Sequence, residues 1–377
     1  IVGGTLKNTY TNGDAVINNS GELVLEDVKI EGAPIADGSY PAYAVISSGK
    51  MIINDGTEVS ADRGCLKLSN GGETVINGGT FVNNDIGSRS LTSHVVDVED
   101  GGSNKLTING GTFQHRHATT SGGVVICNRT TGTVYVNGGN FSGGNYYGND
   151  NLSDYGYGGT FSVTGGTYTA VPATNYIADG YKAVQSGDKY MVVKEDVDGV
   201  ATDNATLKTA IDNAQNGDTI ALSTGDYDAT QITNITGKTI SFVGNGEDTV
   251  FDYSSQGYNS YVSGGNGNFT FENMTINRST ETFAGMAHTN STVYKNCVIN
   301  GVYFVYEKSA QFIDCTFNIT GNNYNCWLYG TEKVTYTNCT FNCDGKSIYV
   351  DGNGNTGSDA EFNNCTFNDI NKVVTDK

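Results

Sequence analysis

The sequence predicts an all-β fold: a right-handed parallel β-helix, or β-solenoid, made of two consecutive units, with one short capping helix opening the second. Three observations carry this expectation. A short phrase, apolar–x–Gly/Asn/Asp–(Gly or apolar)–x–apolar, returns from one end of the 377-residue chain to the other. Only Gly, Asn and Asp stand at its centre, the residues that reach left-handed backbone conformations at least cost. The composition, with 51 Gly, 23 Tyr and only 3 Pro, suits long β-strands joined by tight corners. A fixed period of this size marks a solenoid, in which each coil covers the apolar face of its neighbour. A helical repeat is excluded because no 3.6-residue period survives and Gly is too frequent. Disorder is excluded by the regular spacing of the apolar residues.

The first unit is read over residues 1–194. Its central residue falls at Gly3, Asp27, Asp55, Gly78, Gly110, Gly138 and Gly165, as in Thr107-Ile108-Asn109-Gly110-Gly111-Thr112-Phe113. Apolar residues two before and three after it, such as Ile108 and Phe113, point inward from half-buried strands. Residues 169–194 leave the register at Pro172 and form two β runs around Tyr181–Val184 and Lys189–Val193, turned by Ser186-Gly187-Asp188. They predict an antiparallel hairpin that caps the last coil, because an open strand edge invites aggregation. Residues 195–204 read as an acidic linker. In the second unit, 205–377, Leu207–Ala214 is the one convincing helix, with Thr206 or Asn204 near its N-cap. The central residue then resumes at Gly244, Asn273, Asn296, Asp314, Asn338 and Asn364. Crossovers between parallel strands are right-handed almost without exception, which sets the hand.

The net charge is −19, only 16% of residues are charged, and the five Arg (Arg63, Arg89, Arg116, Arg129, Arg278) form no basic patch in the sequence. Such a field is a poor partner for nucleic acid. No apolar run long enough to span a membrane is present. Because Ile1–Leu6 already match the repeat, the chain reads as a monomeric segment of a longer protein. The eight Cys do not read as a disulfide framework. Cys297, Cys315, Cys339 and Cys365 each follow the central residue directly, where other coils carry Val28 or Met274, and so predict an inward stack of thiols. Cys65 and Cys127 fall in inward strand registers, and no Cys/His spacing for zinc occurs.

From Leu207 to Asp252 the chain resembles the opening of right-handed parallel β-helix proteins of the pectin-lyase-like superfamily: an amphipathic helix, then Gly217-Asp218-Thr219-Ile220, then Gly225-Asp226-Tyr227. The coils from Asn273 to Asn364 resemble the stacked-asparagine corner of that superfamily. The Gly-Gly-Thr-Phe phrases of the first half are similar to repeats in large secreted or surface proteins of bacteria. The resemblance implies fold more than activity, since one fold hosts many chemistries. Polygalacturonase-like members carry Asn-Thr-Asp, Asp-Asp and Gly-His-Gly runs, and none stands in this sequence. No Asp cluster accompanies Arg278 as in pectate-lyase-like members, and the two-Asp, Arg and Gln set of pectin-methylesterase-like members has no match.

The densest titratable stretch, His115-Arg116-His117 with Asp97, Glu99 and Asp100 on the preceding connection, has the residue types of an acid/base or metal patch. A polar loop leaving a coil accounts for it better. His94 and His288 stand alone. No catalytic residue, cofactor or metal ligand is assigned. Asp351–Asp359 spaces its oxygens like the start of a calcium loop, but it lacks Gly at the sixth position and has Phe362 at the twelfth. An insertion of turn-forming residues explains it equally well.

The sharpest functional signal is aromatic. Alignment of the coils places Val302, Phe304, Cys326, Leu328, Ile348 and Val350 inward and Tyr303, Trp327, Tyr329 and Tyr349 outward. Tyr303, Trp327 and Tyr349 would stack coil over coil about 4.8 Å apart, a flat platform for sugar rings. Trp327 is the only Trp in the chain. The alternative is that aromatics simply suit strand surfaces. The expected function is therefore a non-catalytic, secreted or cell-surface bacterial β-helix segment that mediates adhesion or binds a polysaccharide or host glycan. A lyase or hydrolase acting on acidic or plant polysaccharide is the first alternative, and a purely structural stalk is the second.

Overall fold

Parallel sheets stack as a β-solenoid of about 11 turns, with a single helix of seven or more residues. The computed structural model describes residues 1–10, 14–34, 42–84, 93–99, 104–116, 123–144, 151–154, 158–232, 235–253, 261–277, 285–301, 304–305, 307–319, 327–328, 332–351 and 359–376. Of these, 261–262, 285–287, 304–305, 327–328, 349–351 and 374–376 are described by backbone alone. The chain divides into two compact units, Ile1–Glu195 and Asp196–Lys377.

In the first unit each turn lends one strand to each of three faces. The turn formed by Thr80–Asn83, Val96–Val98 and Lys105–Ile108 is followed in register by Thr112–His115, Ile126–Asn128 and Thr133–Val136. The inward residues build a continuous core in which Phe81, Phe113, Phe141 and Tyr168 stack face to face, their centroids 4.8, 5.1 and 4.9 Å apart. These spacings are close to the distance between neighbouring strands, so each coil adds one ring to the stack. Tyr181–Ser186 and Lys189–Lys194 form the expected antiparallel hairpin. Lys189–Lys194 adds to the edge at Thr167–Tyr168, and buried Val192 joins the core.

The second unit repeats the plan. One face holds eight strands from Gly199–Ala201 to Asp359–Asn363, and the next holds seven from Gly225–Asp228 to Thr366–Asn368. On the third face three pairs are described: Tyr261–Ser263 with Gly285–Ala287, Phe304–Val305 with Trp327–Leu328, and Ile348–Asp351 with Val373–Asp376. Phe242, Phe271, Tyr294, Phe312, Tyr336 and Phe362 stack in succession through its core. Helix α1 (Asn204–Asn213) closes the start of this unit by burying Leu207 and Ile211. Its N-cap is Asp203, one residue before the earlier of the two predicted positions. The Asp203 carboxylate accepts from the Thr206 backbone N–H, and the Thr206 hydroxyl answers at the Asp203 N–H, a reciprocal capping box. The stretch read as a linker is not free chain throughout. Gly199–Ala201 is a strand parallel to Thr219–Leu222, because Val200 and Ala201 are apolar and buried there.

Two kinds of corner turn the chain. In the second unit Asn273, Asn296, Asp314, Asn338 and Asn364 adopt left-handed φ between 48° and 61°, as expected. Asp27 does the same in the first unit, ahead of buried Val28. At the Gly-Gly corners Gly78, Gly110, Gly138 and Gly165 the left-handed residue is instead the following glycine, as in Gly111 (φ 99°), whereas Gly3 and Gly4 are both left-handed; at the expected corners Asp55 and Gly244 the left-handed residues are Gly56 and Gly246. The first glycine is required by crowding instead. A Cβ on Gly110 would lie 2.6 Å from the Asn77 carbonyl oxygen, and one on Gly78 would overlap the Asp55 carboxylate.

Candidate functional site

The predicted aromatic row is only partly visible. Tyr303 and Tyr329 lie outside the described residues, as do Val302 and Cys326. Trp327 sits in the strand Trp327–Leu328 and Tyr349 in Ile348–Asp351. At the backbone, Phe304 pairs with Trp327 and Val305 with Leu328, so Trp327 shares its row with Phe304, one residue from the expected partner Tyr303. Of the residues predicted inward here, Ile348 is fully buried. Arg278, His117, Asp100 and most of Asp351–Asp359 also lie outside the described residues.

Next to this face runs a feature that the sequence reading passed over. The last residues of the strands on the second face, Asn277, Asn300, Asn318, Asn342 and Asn368, form a second asparagine ladder. From Asn300 on, each side-chain N–H donates to the amide oxygen of the coil before it at 2.8–3.0 Å. The signal was present as a Thr-x-Asn phrase closing four of those strands and as Val298-Ile299-Asn300 closing the fifth. The predicted corner ladder forms beside it, with Asn296 donating to Asn273, Asn338 to Asp314, and Asn364 to Asn338 at 2.9–3.0 Å. A third ladder, Asn54–Asn77–Asn109–Asn137, runs along the first unit.

Where the second ladder turns into the third face, an open groove of about 310 Å³ is lined by Asn318, Ile319, Asn342, Cys343, Asp344, Asn368 and Asp369. Buried Ile319 and Cys343 supply its apolar lining, and the ladder amides and two carboxylates supply its polar groups. Asp344 and Asp369 hold left-handed φ of 50° and 49°, and the Gly345 N–H donates to the Asp369 carbonyl at 2.8 Å. Burial and the charge of Asp369 push the Cys343 thiol up, so it stays protonated and inert.

Among the described residues, a dense assembly of titratable groups lies in the first unit, on the outward side of the second face. Asp97 and Cys127 are register partners on adjacent strands. Their side chains alternate away from the core, in the row of Lys67, so Cys127 does not take the inward register expected for it, yet both are buried. His94 precedes the same strand as Asp97, and the ligating atoms of His94, Asp97 and Cys127 all lie within 4.8 Å of one another. Arg129 grips Asp97 with two hydrogen bonds, Nε to Oδ1 at 2.9 Å and Nη2 to Oδ2. Tyr43 is buried nearby under the Arg63 guanidinium, whose carbon is 5.6 Å from the ring centroid. His115 is buried too, its Nε2–H donating to the Ser93 carbonyl at 3.0 Å.

Burial sets the protonation states here. It holds the His94 imidazole down at about 4, assisted by the positive charge of Arg129 and opposed by Asp97. His94 is therefore neutral, and its Nδ1 accepts from the Val124 N–H at 3.2 Å. Burial and then the charge of Asp97 push the Cys127 thiol up. Burial works against the charge of Arg129, but the hydrogen bond and charge of Asp97 raise its affinity for the proton overall. The cluster is thus an ion pair beside a neutral imidazole and a thiol. Of the predicted patch it takes in Asp97 and brings His115 close, while Arg116 is exposed and turned to Gln114 and Asn84.

Spacing in sequence could not announce this cluster, because Asp97 and Cys127 stand thirty residues apart. Coil register alone brings them together. Among the described residues no helix is long and apolar enough to cross a membrane, and all seven described Cys are free thiols. No protein-family model matches the chain, and no curated protein matches it.

Proposed function

We propose that the chain is a non-catalytic segment of a secreted or cell-surface bacterial protein that binds glycans along the second unit. The observation that carries this reading is the groove lined by Asn318, Asn342, Asn368, Asp344 and Asp369. Amides and carboxylates flanking an apolar lining match a sugar, which offers hydroxyls in its plane and C–H groups on its faces. The volume falls in the range of about 300–1,000 Å³ usual for ligand sites. Along the chain, the lining residues Asn318 and Ile319 precede the strand that carries Trp327, and Asn342, Cys343 and Asp344 precede the strand that carries Tyr349. The resemblance of Leu207–Asp252 to pectin-lyase-like proteins fits a carbohydrate surface, though that resemblance does not extend to their catalytic motifs. Among the described residues the Asp97, His94, Cys127 and Arg129 cluster is mostly buried, whereas a polymer-cleaving site must be open to its substrate. The experiment is glycan-array binding of the intact chain with a parallel lyase assay on polyuronates. Binding without turnover supports the reading; turnover, or no bound glycan, counts against it.

A further inference from the structure

The structure assigns His94, Asp97 and Cys127 as a site for one borderline divalent transition-metal ion, with Zn(II) or Co(II) as the matching chemistry. Three different donor types, an imidazole nitrogen, a carboxylate oxygen and a thiol sulfur, converge within 4.8 Å of one another from two adjacent coils. Metal–ligand distances of about 2.0–2.3 Å place such donors roughly 3.3–3.8 Å apart around a tetrahedral ion, so a contraction of about 1 Å closes the site. A set mixing N, S and O suits Zn(II) better than Ca(II) or Mg(II), which take oxygen alone.

The surroundings are those of a held ligand set. Arg129 fixes the Asp97 carboxylate through one lone pair on each oxygen, and a carboxylate keeps about two more for an ion. It would act as the supporting partner that ligating carboxylates usually have. The His94 Nδ1 accepts a hydrogen bond from the Val124 N–H at 3.2 Å, and an ion bound at that nitrogen takes the place of this bond. All three donors are buried, so they are shielded from competing water. On binding, the ion replaces the Cys127 thiol proton, which leaves to solvent. The charge of the thiolate, of Asp97 and of a bound hydroxide or anion at the fourth position then offsets the ion and Arg129.

The test is a Co(II) titration of the chelator-stripped full chain, read as a thiolate-to-cobalt charge-transfer band. One ion per chain is expected, displaced by Zn(II). Cys127→Ser should abolish the band, Asp97→Asn should weaken binding at least tenfold, and Cys315→Ser, a change in the second unit, should leave it intact. Stoichiometric Zn(II) should raise the thermal midpoint of the wild type and not that of folded Cys127→Ser. Should Cys127→Ser fail to fold, X-ray absorption of the wild-type Zn(II) complex decides: one sulfur in the first shell supports the site, and none overturns it. No charge-transfer band at saturating Co(II), or a band that survives Cys127→Ser, overturns it equally.

Discussion

The row of thiols in the second unit shows how a residue's place in a coil decides its chemistry. The Sγ atoms of Cys297, Cys315, Cys339 and Cys365 each reach a carbonyl of the preceding coil at 3.4–3.5 Å. Contact with the Cys297 thiol, then burial, pushes Cys315 from 9.0 up to about 12. The native state therefore keeps this proton where the unfolded chain would lose it. The resulting stability is fully present below pH 9 and is lost as the pH rises toward 12. Denaturant titrations should show a steeper alkaline loss of stability for the wild type than for Cys315→Ala, and equal slopes would contradict the account. Cys315 and Cys339 should also resist a thiol reagent in the native protein and react once it is unfolded. Asn338 is the second residue on which much depends. It holds φ 56°, donates to Asp314 and accepts from Asn364. Asn338→Ala should cost about 1–3 kcal/mol by chemical denaturation, from a lost ladder and a strained φ. The inward thiols and this corner were legible because each sits at a fixed offset in the repeat. The His94–Asp97–Cys127 cluster was not. Its members share no phrase, and outward strand positions ordinarily face solvent.

At the scale of the element, corners and caps limit what each coil tolerates. Gly110 has an ordinary backbone, but the neighbouring coil leaves no space for a side chain. Gly110→Ala must therefore displace the Asn77 carbonyl and the ladder that Asn77 anchors. It should destabilise the first unit by roughly 2–4 kcal/mol, whereas Thr107→Ser, a smaller side chain on a half-exposed strand position, should change little. Equal effects in calorimetry would remove the crowding argument. The hairpin at 181–194 was readable from its two β runs and the Gly-Asp turn between them. The strand at Gly199–Ala201 was not, because three residues between Asp198 and Thr202 carry too little pattern to separate a strand from a linker. Val192 is buried where the hairpin meets the last coil. Val192→Asp should cost about 3 kcal/mol or more and expose the edge at Thr167–Tyr168, measurable as concentration-dependent aggregation by light scattering. A monomeric, fully stable variant would show that the hairpin does not cap.

For the molecule as a whole, a repeat makes architecture legible and leaves function obscure. Every coil must satisfy the same packing rules, so they are written many times. A ligand site is written once, where coils differ. The groove at Asn318, Asn342 and Asn368 arises because the second ladder ends at a corner carrying Asp344 and Asp369, and the repeat only hints at the ladder. The aromatic row was inferred from phase alone, and the backbone pairing of Trp327 with Phe304 shows how one residue of register changes which positions are neighbours. Glycan binding, as proposed, depends first on the groove. The direct measurement is calorimetric titration of an array-selected glycan into the wild type and into the Asp344→Asn/Asp369→Asn double variant. Asn keeps the left-handed corner conformations while removing both charges. Loss of charge-assisted hydrogen bonds predicts about tenfold or greater weakening, equivalent to roughly 1.5–3 kcal/mol, with an unchanged unfolding midpoint. Affinity equal to that of the wild type would contradict the assignment of glycan binding to this groove.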